Sequence, residues 1–267
     1  MSGFTHLLKR ALQAQQRDLL LWGGSVLLLV VSVLAVWPPL RDSGSLGSLT
    51  AGMTPEMAQA MGLDGFGTAT GYLKGNLFAV ILPLLIGFMG ISGISGLLSG
   101  DERSGRLEIL LSLPVRRWTV ALSRLCAVVV VLLLTSLPMA ASVILGARWL
   151  DMDVDTRGVL AVTTAIFLLG FFHAALAFLC ACAGASKGAV SGTAGGVLVA
   201  GYVVQAVVAL VPDLRWSAKL SPWEWALGGD PLVNGWQGAG LLLLLLTGAA
   251  CLAVGCLFIE RRDIANA

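Results

Sequence analysis

Ser92 and His173 are residues of the types that act together in nucleophilic catalysis. A serine attacks a carbonyl carbon when a base within hydrogen-bonding reach takes its proton and nearby donors stabilise the oxyanion. Ser92 lies in the motif G-I-S-G at residues 90–93, and His173 lies further along the chain in GFFHAALAF. The motif repeats around Ser95 in GISGISG, which favours a different interpretation, small residues that allow helices to pack closely.

The G-I-S-G motif also resembles the G-x-S-G of rhomboid proteases, six-span enzymes that cut substrates within the membrane. That resemblance implies Ser92 as the nucleophile and His173 as the base. The motifs that surround the base in that family, and the histidine of its second span, are missing from this sequence. An intramembrane serine protease therefore remains a remote alternative.

His173 is the only ionisable residue deep within a predicted span. Titratable residues inside a membrane are functional candidates by default, here for substrate contact or proton sensing. The alternative, which we favour, is a neutral imidazole hydrogen-bonded to a neighbouring helix carbonyl.

Cys180 and Cys182 could bind a soft metal such as copper. Residues two apart on a helix point in different directions, however, and chelate a metal poorly. We interpret the two cysteines as packing residues and predict no metal site.

The densest charge in the sequence lies between Ser99 and Trp118, which we call the charged block. Seven of its twenty residues are charged, whereas the charged fraction of the whole chain is 12%. The pattern predicts a short helix over Glu102–Leu113 with leucines on one stripe, ended by Pro114. Such a helix suits docking to a soluble partner, or it anchors the loop at the membrane surface through its arginines. Periodicity alone leaves both hypotheses open.

Six apolar runs surround these residues and must position them. The sequence is 57% hydrophobic, so water cannot be the main solvent, and its net charge of +2 gives no reason to expect nucleic acid as a partner. Each run has about the 20 residues that cross the hydrocarbon core of a bilayer. The predicted spans are Leu19–Trp37, Gly75–Ser99, Leu125–Ala147, Gly158–Ala185, Ala189–Val211 and Gly238–Ile259.

The distribution of Lys and Arg residues predicts the orientation of the spans. With both termini in the cytoplasm, eleven of the 17 Lys and Arg residues lie on the cytoplasmic side and six lie outside. Arg outnumbers Lys by 13 to 4, a bias typical of GC-rich bacterial genomes. We therefore expect a multi-pass protein of a bacterial inner membrane with both termini cytoplasmic.

The spacing of apolar residues in residues 1–18 predicts an amphipathic helix before the first span. Its cations lie off the apolar stripe, as in helices that lie in the membrane interface. The alternative is a frayed tail, because short helices are marginal alone. The apolar residues at helical spacing are Phe4, Leu7, Leu8, Ala11 and Leu12.

From Glu102 through Arg117 the charged block is E-R-x-G-x-L-E-x-L-L-S-x-P-V-x-R. This pattern resembles the loop after the second span in type-2 ATP-binding-cassette (ABC) permeases of the export class. The amphipathic N-terminal helix (the "elbow" of that family), the six spans and three short motifs agree in order and spacing. The motifs are G-Y-L at 71–73, S-P-W-E at 221–224 and F-I-E-R-R-D at 258–263.

The resemblance implies an all-α polytopic membrane protein, a single permease domain over residues 1–267. It has six transmembrane helices, the elbow helix in residues 1–18, and a cytoplasmic coupling helix in the loop 101–117 between spans two and three. In that family the coupling helix sits in a groove of a separate ATPase subunit. The residues implied for this contact are Glu102, Arg103, Gly105, Leu107, Glu108, Leu110, Pro114, Arg116 and Arg117.

The chain lacks a G-x-x-x-x-G-K-[ST] phosphate loop, so we expect no cofactor in it and no enzymatic activity of its own. The resemblance implies that ATP and Mg²⁺ are bound by a partner ABC ATPase present in two copies. Six spans form half of the usual twelve-span translocator, so we expect a second permease copy or a sister chain. A channel or a scaffold without an ATPase is the alternative.

The resemblance also implies that spans two and five line the translocation path near the dimer axis. Both runs are almost wholly apolar, which favours amphipathic, drug-like or lipid-like cargo. The tryptophan-rich residues 212–237 resemble the re-entrant outer helices of such exporters, although interfacial tryptophans alone give the same composition. His173 and Glu224 are the candidate path residues; Glu224 would cap the exit path or would only be solvated.

Overall fold

The computed structural model describes residues 2–43, 65–99 and 116–261, together with residues 52, 54 and 57. Among these residues, six helices are long and apolar enough to cross a membrane. The predicted all-α polytopic fold with six spans is confirmed. We number the spans 1 to 6: Gln16–Ser43, Ala69–Leu98, Arg117–Trp149, Thr156–Cys182, Lys187–Leu210 and Gly238–Arg261.

Polar residues at the helix starts explain where several spans begin. The Asp155 carboxylate accepts a hydrogen bond from the Arg157 N–H at the start of span 4. Ser186 does the same for the Ala189 N–H at the start of span 5. These side chains satisfy backbone donors that a helix leaves unpaired in its first turn.

Span 1 runs further than the hydrophobic pattern predicts. The apolar run ends at Trp37, but the helix continues through Pro38 and Pro39 to Ser43. Proline fixes φ near the helical value and costs one backbone hydrogen bond. Two prolines near a helix end therefore do not stop it here.

Side-chain hydrogen bonds place the connections at two opposite faces. On the face that we call the terminal face, Ser95 Oγ donates to the Lys187 carbonyl at 3.3 Å. On the other, the loop face, Thr70 Oγ1 donates to the Asp153 carbonyl at 3.2 Å. The terminal face carries residues 16, 99, 117, 187 and 261, and the loop face carries residues 43, 69, 149–156 and 210–238.

Span 4 forms the centre of the helix bundle. Of its most apolar window, 72% is buried, against 17% in span 1 and 22% in each of spans 5 and 6. It packs against spans 2, 3, 5 and 6. Span 2 approaches it closely, because a Cβ atom at Gly90 would lie 2.8 Å from the Gly170 carbonyl oxygen. Small residues at such crossings let membrane helices come together.

The N-terminal helix, Ser2–Ala14, packs its apolar stripe against the protein. Leu7 and Ala11 are buried where this helix contacts span 3. Gln15, only 3% exposed, has its amide nitrogen beside Gly93 of span 2. The stripe therefore contacts neighbouring spans, and the position of this helix at a membrane interface stays a prediction.

Span 2 is irregular near both ends. A π-helical turn, Lys74–Phe78, follows its first helical turn, and a second one, Ser95–Ser99, closes it. Between them, Val80 departs from helical geometry with φ −136°. Single π-helical turns are rare and often occur at functional sites.

Candidate functional site

The two anchors of the charged block lie on the terminal face. Span 2 reaches this face through Ser95–Ser99, and span 3 starts from it at Arg117. Arg116 is exposed and extended immediately before span 3. The other residues implied for ATPase contact lie outside the described residues: Glu102, Arg103, Gly105, Leu107, Glu108, Leu110 and Pro114.

A hydrogen-bond network links the end of span 2 to the start of span 5. Ser95 is fully buried, and its hydroxyl accepts a hydrogen bond of 3.0 Å from Ser191 Oγ while donating to the Lys187 carbonyl. Ser95 opens the last π-helical turn before the charged block, so the network joins the end of span 2 that leads into the block to the start of span 5.

Ser92 and His173 do not form a nucleophile and base pair. The Ser92 hydroxyl is exposed and donates to the Met89 carbonyl of its own helix at 3.1 Å. The imidazole is 1% exposed, and its Nδ1 lies 2.8 Å from the Leu169 carbonyl of its own helix. Each group is therefore engaged locally, and among the described residues no hydrogen bond joins them. The geometry gives no support to the protease alternative.

His173 lies in the interior of the bundle, in edge-to-face contact with Phe172 at 5.0 Å between ring centres. Cys182 is buried and Cys180 is half-buried on the same span. In the described part of the chain, no three His, Cys, Asp or Glu side chains come together as a metal site would require.

The segment between spans 5 and 6 runs from the loop face back into the helix bundle, alongside span 5. It holds short helices at Arg215–Ala218, Pro222–Leu227 and Pro231–Asn234. Ser221 Oγ donates to the Gly201 carbonyl, nine residues before the end of span 5, or about 14 Å along the helix. Trp223 is 2% exposed, so this segment is part of the packed interior. That it lies outside the cytoplasm stays a prediction.

A cavity of about 510 Å³ opens where this segment meets spans 2 and 5. We call it the outer cavity because it lies toward the loop face. Ligand pockets typically measure about 300–1,000 Å³. It is lined by Lys74, Phe78, Ala79, Val80, Val162, Tyr202, Gln205, Ala206, Val208, Ala209, Arg215, Ala218, Lys219, Trp223, Glu224, Leu227, Gly228, Asp230, Pro231 and Leu232.

Charged groups of both signs line the outer cavity. Lys74 Nζ pairs with Asp230 Oδ2 at 2.7 Å, with the two side chains 20% and 29% exposed. Arg215, Lys219 and Glu224 also line it. The Glu224 carboxyl group packs over Gly228, one helical turn later. The cavity is thus lined both by apolar side chains and by charged side chains, of which Lys74 and Asp230 form an ion pair.

A sequence model of the ABC-2 family transporter proteins matches residues 6–222, which is well over half of the chain. The chain belongs to the ABC-2 transporter family. As a member, it is a membrane permease component of an ABC transporter, and the family in general works with a partner ABC ATPase. Among curated proteins, none matches the chain.

The two predicted path residues of this ABC-2 permease occupy different environments. Glu224 lines the outer cavity, whereas His173 is buried and is not among the residues lining that cavity. Sequence reasoning missed the Lys74–Asp230 ion pair and the Ser95–Ser191 hydrogen bond. The sequence held one signal for the ion pair. Lys74 is the single charged residue between Asp64 and Asp101, and it lies at the start of an apolar run, where a charge needs a partner.

Proposed function

We propose that this ABC-2 permease is the membrane subunit of an ATP-driven exporter in a bacterial inner membrane. Two copies of a separate ATPase dock on the charged block, and a second permease copy completes the translocation path. The observation that carries the proposal is the family match over residues 6–222, which includes the whole block. The exposed Arg116, immediately before span 3, is consistent with a partner at the terminal face.

The proposed mechanism is alternating access. ATP binding brings the two ATPases together, and their movement displaces the charged block. Because the block joins span 2 to span 3, both spans move with it. The Ser95–Ser191 hydrogen bond extends this movement to span 5. Spans 2 and 5 also provide much of the wall of the outer cavity, so their displacement changes its shape.

A second permease copy fits the exposed apolar sides of the outer spans. In span 5, Val199, Val203 and Val207 repeat every four residues and are 42%, 49% and 38% exposed. In a bilayer such a face contacts lipid or another helix. The proposed cargo is amphipathic, since the spans that would contact it are apolar along most of their length.

Copurification tests the exporter hypothesis most directly. Affinity-tagged permease, solubilised from the native membrane in mild detergent, is expected to bring down an ABC ATPase. The variant Glu108→Lys, in the charged block, is expected to insert normally but to recover several-fold less ATPase. Glu260→Lys is the matched control, because Glu260 is exposed at the terminal face in the last turn of span 6. Permease that copurifies with no ATPase would instead be a channel if it transports, or a scaffold if it does not.

Orientation is tested by labelling single cysteines in a background without the five native cysteines. With cytoplasmic termini, a membrane-impermeant thiol reagent added to intact cells reacts at Asp153→Cys on the loop face. It reacts at Ser104→Cys only after permeabilisation. The reverse pattern would place the charged block outside the cell and would overturn the docking mechanism.

A further inference from the structure

The outer cavity holds two cations that no described residue neutralises. The side chains of Arg215 and Lys219 are exposed at its rim, and in the described part of the chain neither forms an ion pair or hydrogen bond. Lys74 and Asp230 compensate each other through their ion pair. Glu224 has no ion-pair partner in the described chain either, so the uncompensated charge along the wall is two cations against one carboxylate.

The two cations lie in the short helical segment that follows span 5. Span 5 ends at Leu210. A short helical turn, Pro212–Leu214, follows it, and Arg215 begins the next short helix. The Trp225 indole N–H donates to the Lys219 carbonyl at 2.7 Å, which fixes the backbone of this turn. Trp216, between the two cations, is 65% exposed. Both cations therefore belong to the part of this segment that lines the cavity beside span 5.

Much of the remaining cavity wall is apolar. Tyr202, Ala206 and Ala209 form one stripe of span 5 at helical spacing, and Phe78 of span 2 and Val162 of span 4 also line the cavity. Within this wall Gln205 has a buried amide oxygen without a hydrogen bond to the described chain. This oxygen is an acceptor, so a ligand satisfies it only with a donor, such as the P–OH group of a singly ionised phosphate.

We propose that the outer cavity binds an amphiphile with an acidic head, a phosphate monoester of an alkyl chain. Arg215 and Lys219 bind the ionised oxygens of the head, its remaining P–OH group donates to Gln205 Oε1, and the span 5 stripe with Phe78 holds the chain. The identification of this molecule as cargo rests on the proposed export function. The binding site itself does not.

Photolabelling in the purified permease tests the site without the ATPase. The protein is placed in nanodiscs of phosphatidylcholine, a lipid without net charge, and exposed to a photoactivatable twelve-carbon alkyl phosphate. Adducts mapped by mass spectrometry are expected to concentrate on residues 202–209. Unlabelled dodecyl phosphate is expected to compete, whereas dodecanol and inorganic phosphate at equal concentration are not. Competition by dodecanol would show that the acidic head is irrelevant. Competition by inorganic phosphate would show that the alkyl chain is irrelevant. Either result would overturn the proposal.

The double variant Arg215→Gln/Lys219→Gln is expected to lose labelling about tenfold or more, because charge-assisted hydrogen bonds are the stronger ones. Arg148→Gln/Arg157→Gln is the matched control, since both arginines are exposed near the loop face without lining the cavity. Equal losses in both variants would mean general attraction of the probe to positive charge and would overturn the site.

A third variant, Ala206→Phe, fills the apolar wall and keeps both cations. It is expected to reduce labelling while the protein elutes normally in size-exclusion chromatography; unchanged labelling would overturn the proposal. Labelling as predicted in a permease without an ATPase partner would leave the site standing and refute the exporter. Even labelling over the surface of a permease that is coupled to an ATPase would refute the binding site and leave the exporter hypothesis standing.

Discussion

Lys74 Nζ and Asp230 Oδ2 lie 2.7 Å apart, so an ion pair joins the π-helical turn of span 2 to the segment before span 6. Both partners are in uncommon backbone settings. Lys74 opens the π-helical turn, and Asp230 has a φ of 49°, in the left-handed region. Aspartate is one of the few residues that tolerate this region, and Pro231 follows it as the first residue of a short helix. The ion pair thus fixes one wall of the outer cavity.

Removing either partner of this ion pair is expected to destabilise the protein. In a double-mutant cycle of Lys74→Gln and Asp230→Asn, we expect a coupling free energy of about 1 kcal/mol, since the pair is partly buried. The free energy of unfolding is measured by titrating sodium dodecyl sulfate into protein in dodecyl maltoside.

The Arg41–Asp42 pair is the control for that cycle. Its atoms are 2.9 Å apart near the loop face, but its side chains are 47% and 67% exposed. Exposed pairs gain little from their attraction, so Arg41→Gln and Asp42→Asn are expected to show a coupling close to zero. Equal coupling in both pairs would contradict a structural role specific to Lys74 and Asp230.

Gly90 is expected to be intolerant of even one added carbon. An alanine Cβ there would lie 2.8 Å from the Gly170 carbonyl oxygen and 3.2 Å from the Ala174 Cβ, so spans 2 and 4 would have to separate. Gly90→Ala should therefore lower the thermal stability and the yield of folded protein. Gly24→Ala is the matched control, because a Cβ at Gly24 of span 1 meets no atom within 4 Å. Removing a helical glycine there is expected to leave stability unchanged or slightly higher. Equal losses at both positions would contradict the close crossing.

Hydropathy alone predicted the number of spans, because a long apolar helix satisfies its backbone hydrogen bonds within itself inside lipid. It predicted boundaries less well, since capping and local irregularity decide them, as in the extension of span 1 to Ser43. The Lys74–Asp230 pair joins residues 156 positions apart, and no local pattern encodes such a contact. The apolar stripe of the N-terminal helix has the same spacing whether it meets lipid or span 3, so composition could not separate these surroundings.

His173 is expected to be dispensable for transport. Within the described chain its Nδ1 hydrogen-bonds to the Leu169 carbonyl of its own helix, and its Nε2 is buried without a hydrogen bond. In His173→Leu the unpaired nitrogen disappears and the volume is nearly kept, so stability should be unchanged or higher. Cargo efflux and thermal stability of this variant measure the effect. His173→Asp is the contrast, since an unpaired carboxylate at this depth should prevent folding. A well-folded His173→Leu protein without transport would place the imidazole in the transport cycle.

Alanine variants at Ser95 and Ser92 distinguish the proposed coupling role of Ser95 from catalysis by Ser92. Ser95→Ala removes the buried hydroxyl between Ser191 and the Lys187 carbonyl, so movement of the charged block should reach span 5 less effectively. We expect a several-fold lower cargo efflux per ATP hydrolysed, with a stability loss of only about 1 kcal/mol. Ser92→Ala removes a hydroxyl whose one hydrogen bond within the described residues is to its own helix, and it should change neither quantity. Both are measured in proteoliposomes that contain the copurified ATPase. Normal coupling in Ser95→Ala would show that spans 2 and 5 move together without this hydrogen bond. Loss of activity in folded Ser92→Ala would revive the protease hypothesis.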